Sequence, residues 1–263
     1  MKHRYRRPVL PEVDISQQGN ILSLHLGSET VQSAMNLDNP ADLVLSYSRA
    51  MMAWLLFAER LPQHITQIGL GGGSFARWID AFLPDVRQSA VEINPQVVIA
   101  ARMMFALPPE EDGRFEIIED DGAKYVAALD GATDLILTDG FDGEQIADAL
   151  TGAGYFADCR RALTAEGIFA ANWWGGDKRY PQFLTVLKQV FDGRVLEIPA
   201  ETHGNIAVFA FQATPLADLA KLKKRAAVLS ERYRLDFSRM LADAKARNPH
   251  NGRSFVFAAP KAA

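Results

Sequence analysis

The stretch Gln67-Ile68-Gly69-Leu70-Gly71-Gly72-Gly73-Ser74 decides the fold of this chain. Its alternate glycines, Gly69, Gly71 and Gly73, follow a short apolar run and precede a segment with helical periodicity. Glycines at such a turn let the backbone approach a ligand closely. Twenty residues after Gly72, Ala90-Val91-Glu92-Ile93 is a second predicted strand that ends in a carboxylate, which can accept both hydroxyls of a ribose. Strand, glycine turn, helix and acidic strand end together predict a nucleotide pocket.

Strands and helices alternate after this point. Strands are predicted at 65–70, 88–93, 114–119, 133–138, 168–173, 194–199 and 205–213, and helices at 74–83, 96–106, 122–129, 155–163 and 180–190. This alternation predicts an α/β fold with a mostly parallel, Rossmann-like sheet and helices on both faces. In such sheets, ligands bind at the carboxyl ends of the strands.

The two ends of the chain differ from this pattern. Residues 21–26 alternate apolar and polar side chains and, with 30–35, predict a β-hairpin. A helix is predicted over 41–61, and residues 215–247 predict one or two amphipathic helices. We therefore expect an N-terminal β region (1–45), a nucleoside-binding α/β domain (46–214) and a C-terminal helical extension (215–263).

Composition narrows the function classes. The 263 residues include 48% hydrophobic ones, and the net charge is −4, which gives no electrostatic case for nucleic acid. The longest apolar run, 50–58, is far shorter than the roughly 20 residues of a membrane helix. A single cysteine, Cys159, and the lack of a signal peptide predict a cytoplasmic protein. The five histidines have no ligand spacing, so no metal site is expected.

Carboxylates follow two further strands. Asp121, before Gly122, can accept the amino group of an adenine or simply cap the next helix. Asp139 and Asp142 stand three residues apart in a glycine-flanked loop, which can also be an ordinary polar turn. No phosphate-binding loop occurs, and no basic residue is predicted beside the glycine turn. An acidic pocket attracts a cation, and a sulfonium nucleoside, S-adenosylmethionine or its decarboxylated form, fits that field.

These strand ends resemble the motifs of the spermidine synthase (polyamine aminopropyltransferase) family. Gly69-Leu70-Gly71-Gly72-Gly73-Ser74-Phe75-Ala76-Arg77 is similar to its Gly-Gly-Gly-Asp-Gly-Gly-x-x-Arg, and Val91-Glu92-Ile93-Asn94 to its Val-Glu-Ile-Asp. Asp120-Asp121-Gly122 is similar to its Gly-Asp-Gly, and Asp139-Gly140-Phe141-Asp142-Gly143 to its catalytic Asp-Ser-x-Asp-Pro. Tyr47-Ser48-Arg49-Ala50 stands where the family has Tyr-x-Glu-Met. The resemblance covers residues 20–213.

The resemblance implies a class I methyltransferase-type sheet and a transferase that moves an aminopropyl group to a small amine. It implies that Asp139, Asp142 and Tyr47 are catalytic, with Asp139 deprotonating the amine. It implies that the nucleoside is bound by Gln32, Gly69, Gly71, Gly73, Glu92, Asp121 and Gly122. No cofactor is expected to be bound permanently; S-adenosylmethionine or its decarboxylated form is the co-substrate. A homodimer is also implied.

Three departures from the family keep two alternatives open. Gly72 replaces a carboxylate that holds the aminopropyl tail, and Arg49 replaces a glutamate. The family's late Tyr-Pro segment is Glu201-Thr202-His203-Gly204 here. A positive Arg49 can pair with the carboxylate of intact S-adenosylmethionine, which favours a methyltransferase on the same scaffold. The altered amine site favours a non-catalytic nucleoside-binding dimer.

Overall fold

A three-stranded antiparallel sheet forms the N-terminal region of the computed structural model, which describes residues 10–141 and 146–258. Its strands, in the order β1-β2-β3, are β1 (Val13–Gln18), β2 (Ile21–Leu26) and β3 (Val31–Asn36). The predicted hairpin is confirmed as β2 and β3. Strand β1 was not predicted, because it lies at the sheet edge, is mostly exposed and has an apolar alternation limited to Val13 and Ile15.

The second sheet has seven strands in the order β6-β5-β4-β7-β8-β10-β9. The strands are β4 (His64–Ile68), β5 (Arg87–Glu92), β6 (Phe115–Glu119), β7 (Thr133–Thr138), β8 (Leu163–Trp174), β9 (Val195–Pro199) and β10 (Asn205–Phe211). Strand β10 pairs antiparallel with both neighbours, whereas the pairs that involve β4, β5, β6, β7 and β8 with one another are parallel. This is the predicted mostly parallel α/β sheet.

Helices cover both faces, as predicted. They are α1 (Ser46–Met51), α2 (Trp54–Phe57), α3 (Ser74–Phe82), α4 (Pro95–Met104), α5 (Gly122–Ala127), α6 (Ala153–Ala162), α7 (Tyr180–Val190), α8 (Leu219–Tyr233) and α9 (Phe237–Arg247), with a 3-10 turn at Asp148–Leu150. Along β7, Leu135 and Leu137 face the core shared with α1, α2, α3, α8 and α9. Ile136, between them, faces the core shared with α5, α6 and α7. Because successive side chains of a strand point to opposite faces of the sheet, β7 contributes to the helix layers on both sides.

The single predicted helix over 41–61 is wrong. The structure has the two short helices α1 and α2, with Met52 and Ala53 in the turn between them, and α2 ends at Phe57, after which Ala58 is extended. Every residue from 50 to 57 is buried, so this run has no polar face that would mark a helix direction. A segment surrounded by core on all sides gives a poor periodicity signal.

The strand order places one particular gap at the centre of the molecule. From β4 the chain moves outward through β5 and β6, and then returns to place β7 on the other side of β4. The crevice between the carboxyl ends of β4 and β7 is therefore the topological switch point, where open α/β sheets bind ligands. Gly69 follows β4 and Asp139 follows β7, so the predicted turn and the predicted base meet there.

Candidate active site

A cavity of about 490 Å³ opens at this switch point. Eight of the predicted site residues line it: Gln32, Tyr47, Gly69, Gly71, Glu92, Asp121, Gly122 and Asp139. Asp142 lies outside the described residues. Gly73 is the exception among those described, because it is not part of the cavity wall. The N-terminal sheet contributes Gln32 and α1 contributes Tyr47, so the wall combines three regions of the chain.

The glycine turn brings strand ends together. Gly69 has a φ of +94°, and a Cβ there would lie 2.3 Å from the carbonyl oxygen of Asp139. The Asp139 amide donates to the Ile68 carbonyl at 2.8 Å, which fixes the two strand ends side by side. Gly73, with a φ of +73°, caps α3, and a Cβ there would collide with Leu107. Gly73 therefore allows the turn to pack closely against Leu107 and does not line the cavity.

Glu92 ends β5 beneath the turn. Its Oε2 accepts the Leu70 amide and its Oε1 accepts the Asn94 amide, each at 2.9 Å. Burial raises the pKa of the Glu92 carboxyl, and the surrounding backbone amides oppose that rise. Because a carboxylate oxygen has more than one acceptor site, both oxygens retain capacity for sugar hydroxyls.

Asp121 caps the next helix and also lines the cavity, and its contact with an adenine stays a prediction. Its Oδ1 accepts the Ala123 amide at 3.0 Å, which caps α5, and its side chain also lines the cavity. Lys124 lies 3.5 Å from Oδ2 on the exposed side. Gly122 is required for packing, because a Cβ there would lie 2.4 Å from Cγ2 of Ile68. The turn that caps α5 thus also forms part of the cavity wall.

Asp139 lies partly buried between a tyrosine and an asparagine. Its Oδ1 accepts Nδ2 of Asn172 at 2.9 Å, and its carboxylate interacts with the Tyr47 phenol. Burial raises the pKa of Asp139 to about 6, although both neighbours act in the opposite direction. The Tyr47 hydroxyl donates to the Gln32 carbonyl at 2.8 Å, and burial with the nearby Asp139 charge raises its pKa. A carboxyl that titrates near neutral pH is suited to accept a proton.

The charged groups of the cavity wall are all acidic. Glu92, Asp121, Asp139 and Asp148 line it, and among the described lining residues there is no lysine or arginine. Such a site favours a positively charged ligand. The expectation that nothing basic lies near the glycine turn is nevertheless wrong. Arg77 packs behind the turn, where it donates to the carbonyls of Gly72 and Phe105, and burial lowers its pKa to about 10.

Hydroxyls and aromatic rings complete the wall, and the sequence reasoning missed them. The lining residues that were not predicted include Ser33, Ser74, Phe75, Asn94, Phe141 and Asp148. The hydroxyls of Ser33 and Ser74 lie 3.2 Å apart beside Gly72. A Cβ at Gly72 would lie 2.7 Å from the Phe105 ring and 2.9 Å from Ser33 Oγ, so no side chain fits there. The neutral hydroxyls of Ser33 and Ser74 therefore lie beside Gly72, the position at which the resemblance implies a carboxylate.

Two departures from the family compensate each other. Arg49 Nη2 lies 3.3 Å from Glu201 Oε2, and its Nη1 donates to the carbonyls of Leu43 and Val44 at 2.9 and 2.7 Å. The Arg49 side chain does not line the cavity. The suggested pairing of Arg49 with a substrate carboxylate is therefore not supported. The reversed charge at position 49 is balanced by the acidic residue that replaces the Tyr-Pro segment.

Within residues 10–141 and 146–258, no group of three or more His, Cys, Asp or Glu side chains could hold a metal ion. No helix of the described chain is long and apolar enough to cross a bilayer.

The sheet order and the cavity at its switch point define a class I methyltransferase-like α/β protein. A family model described as "Spermine/spermidine synthase domain" matches residues 44–191. A "Polyamine aminopropyltransferase" of Neisseria meningitidis serogroup A is 64% identical over 260 residues, which is 97% of this chain and 98% of that protein. The chain belongs to the spermine/spermidine synthase family and is a transferase, as its motifs predicted.

Solved structures share the fold. A probable spermidine synthase from Corynebacterium glutamicum superposes with a TM-score of 0.67 at 18% identity, covering 81% of this chain and 83% of that one. A spermidine synthase in complex with the transition state analogue AdoDATO gives a TM-score of 0.58 at 22% identity, over 78% of this chain and 71% of that one. The predicted fold class is confirmed, and the relatives favour aminopropyl transfer over methyl transfer.

Proposed function

We propose that this protein transfers the aminopropyl group of decarboxylated S-adenosylmethionine to a small amine such as a diamine. The observation that supports this most strongly is the cavity at the switch point, whose charged lining residues are all carboxylates. Both reactants are cations, and the acidic field favours both. The name of the Neisseria relative, "Polyamine aminopropyltransferase", supports the same reaction.

Binding of the nucleoside follows from the strand ends. Glu92 accepts the ribose hydroxyls while its orientation is held by the amides of Leu70 and Asn94. Asp121 accepts the adenine amino group through Oδ2, the oxygen that does not cap α5 and that also lies 3.5 Å from Lys124 Nζ. Gly69 and Gly71 let the backbone of the turn approach the ligand. These roles place the sulfonium near Asp139, at the adjacent strand end.

The reaction is a displacement at carbon. The amine nitrogen bonds to the aminopropyl carbon, the bond from that carbon to sulfur breaks, and the nucleoside leaves as neutral methylthioadenosine. The proton that the amine loses goes to Asp139, whose pKa of about 6 suits a base at neutral pH. Tyr47 and Gln32 close the cavity beside this carboxylate. Positioning of the two reactants supplies much of the rate, because the sulfonium already activates the carbon.

Calorimetry with three ligands tests the proposal. Decarboxylated S-adenosylmethionine should bind more tightly than the intact form, which carries an extra carboxylate into an acidic cavity, and methylthioadenosine should bind in the same site. Glu92→Ala should weaken all three by about 10- to 100-fold through lost charged hydrogen bonds. Glu119→Ala, at the exposed end of the neighbouring strand β6, is the matched control and should leave affinity unchanged. Preference for intact S-adenosylmethionine would favour a methyltransferase. If none of the three ligands binds, both the aminopropyltransferase and the methyltransferase proposals are contradicted.

Several expectations remain predictions. Asp142 is a second proposed catalytic carboxylate. A homodimer is proposed from the family alone, because the apolar residues 50–55 are buried inside the chain and offer no exposed interface. Analytical ultracentrifugation measures this directly. A cytoplasmic location and a lack of nucleic acid or membrane partners are likewise predictions.

A further inference from the structure

A chain of two side-chain amides ends on Asp139. Asn172, in β8 and only 3% exposed, donates from Nδ2 to Asp139 Oδ1 at 2.9 Å. Asn205, the first residue of β10, donates from its own Nδ2 to Asn172 Oδ1 at 3.0 Å. No motif in the sequence points to either asparagine. Both lie outside the motifs that carry the family resemblance.

The antiparallel strand β10 makes this arrangement possible. Asn172 pairs with Ala207 in the ladder between β8 and β10, and Asn205 lies two residues before Ala207. Side chains two residues apart in a strand point to the same face, so Asn205 reaches Asn172 as a diagonal neighbour. Because β10 runs opposite to β8, the beginning of β10 lies at the sheet edge where β7 and β8 end.

The direction of the amides follows from their donors and acceptors. A carboxylate only accepts, so the amide beside Asp139 has to present its nitrogen. The Asn172 oxygen then points away and is held by the nitrogen of Asn205. If Asn172 were rotated, its oxygen would face a carboxylate oxygen and its nitrogen would face the donor of Asn205. With Asn205 presenting its nitrogen, both contacts of the rotated form are repulsive, so Asn205 reinforces the orientation that Asp139 requires.

We propose that Asn172 is a positioning residue that holds the Asp139 carboxylate ionised and correctly aimed, and that Asn205 acts by fixing the orientation of Asn172. This inference rests on the proposed role of Asp139 as the base. One carboxylate oxygen is anchored by Asn172, which leaves the other for the amine. Buried hydrogen-bonded networks of this kind restrict a group to one geometry when every member has a partner.

The hydrogen bond from Asn172 should have a measurable effect on the titration of Asp139. Burial favours the protonated form of Asp139, and the hydrogen bond from Asn172 opposes this. Tyr47, from α1, is the titratable group that interacts with Asp139 across the cavity. Glu92, Asp121 and Asp148 line the same cavity from other elements and add negative charge. Loss of the Asn172 donor therefore shifts the Asp139 titration towards higher pH.

The test compares Asn172→Ala and Asn205→Ala with the wild type in two measurements. The first is the pH profile of kcat/KM. In Asn172→Ala the rate at pH 6.5 should fall about tenfold, and at pH 9 it should return to within about twofold of the wild type. Asn205→Ala should shift the profile in the same direction by a smaller amount. Asn172→Gln, which restores an amide, should recover part of the loss at pH 6.5.

The second measurement is the infrared carboxylate band of Asp139, assigned by comparing each variant with its Asp139→Asn version. This band titrates whether or not the enzyme turns over, so the inference stays testable if aminopropyl transfer is not observed. Asn248→Ala is the matched control, because Asn248 is a buried asparagine that bonds to the backbone of Glu197 instead. It should move neither the profile nor the band.

The outcomes decide the inference separately from the function. If Asn172→Ala leaves the Asp139 titration and the pH profile where the wild type has them, Asn172 does not position the base. If Asn172→Ala fails to fold, Asn205→Ala alone decides, and an unchanged titration overturns the role of the amide chain. If the wild type shows no aminopropyl transfer, but the Asp139 band of Asn172→Ala titrates at higher pH as expected, the proposed function is wrong. The positioning role of Asn172 and Asn205 is then still supported.

Discussion

The ionised form of Asp139 that the proposed reaction needs is the form that lowers the stability of the fold. Its pKa of about 6 lies above the ordinary value of 3.8, so the folded protein binds this proton more tightly than the unfolded chain does. The stabilisation from the protonated form is fully present below pH 3.8 and is lost as the pH rises through about 6. At the pH where the base is ionised and active, the partly buried charge of Asp139 therefore reduces the stability of the fold.

Asp139→Asn should remove activity and raise stability at the same time. The neutral amide keeps an oxygen for Asn172 but accepts no proton, so turnover should fall below detection while nucleoside affinity is nearly unchanged. The free energy of unfolding at pH 8 should rise by up to about 3 kcal/mol, since each pH unit of altered pKa corresponds to about 1.36 kcal/mol. Urea unfolding of both proteins at pH 8 and at pH 4 measures this, and the difference should shrink at pH 4. A variant with full turnover would contradict the assignment of the base.

At the scale of elements, the site depends on how close the strand ends come. The turn after β4 and the end of β7 touch at Gly69, where no side chain has room. On the other side, α1 carries Tyr47 and is fastened to the loop between β9 and β10. The Ser46 hydroxyl lies 2.7 Å from the Thr202 hydroxyl, and Arg49 pairs with Glu201. Tyr47 lies between these two attachments.

Gly69→Ala should impair catalysis more than its backbone strain explains. The added methyl would overlap the Asp139 carbonyl, displacing the base, and the φ of +94° adds a strain of about 1–3 kcal/mol. Gly113→Ala is the control, because Gly113 has a φ of +71° and nothing within 4 Å of a new Cβ. Both variants should lose stability by thermal unfolding, but only Gly69→Ala should lose kcat by about tenfold or more. Equal kcat in the two variants would show that the close approach is unimportant.

The pair between Arg49 and Glu201 should behave as a coupled unit. In a double-mutant cycle of Arg49→Met and Glu201→Gln, we expect a coupling energy of about 0.2–1 kcal/mol, because both side chains are partly exposed. Arg49→Met alone should cost more than Glu201→Gln, since it also removes the bonds to Leu43 and Val44. Urea denaturation supplies the four stabilities. Strictly additive effects would mean that the two departures from the family are unrelated.

Local patterns reveal some of these elements and hide others. Glu92, Asp121 and Asp139 could be predicted because each lies at or within two residues of the end of a strand, and parallel strands bring such ends to one edge. The break within 41–61 was hidden by burial on every side. Asn172 and the Arg49–Glu201 pair were missed because they depend on contacts across the sheet, the latter between residues 152 positions apart. A polar residue interrupting the apolar run of β8 was the one available signal for Asn172.

At the scale of the whole molecule, the last helices are part of the main core. Leu222, Ala226 and Tyr233 of α8 are buried in the main core beside α2, and the Tyr233 ring packs 5.6 Å from that of Trp78 in α3. Helix α9 packs beside α8 against β9. The face that carries α1, and therefore Tyr47, is thus completed by the C-terminal residues. The sequence predicted these helices, but their amphipathic pattern does not say which surface they cover.

Leu222→Ala should test this packing. Leu222 is fully buried, so its truncation should lower the free energy of unfolding by about 2–5 kcal/mol. Val228→Ala on the same helix is the control, since Val228 is 63% exposed and should change stability by less than about 0.5 kcal/mol. Chemical denaturation of both variants provides the comparison. A Leu222→Ala protein as stable as the control would indicate that α8 contributes little to the core.

The most direct measurement is product analysis by mass spectrometry after incubation with a diamine and either form of the nucleoside. With decarboxylated S-adenosylmethionine, we expect methylthioadenosine and the diamine extended by one aminopropyl group, in equal amounts, and neither product from Asp139→Asn. Formation of S-adenosylhomocysteine and a methylated amine from intact S-adenosylmethionine, with no reaction of the decarboxylated form, would contradict the account.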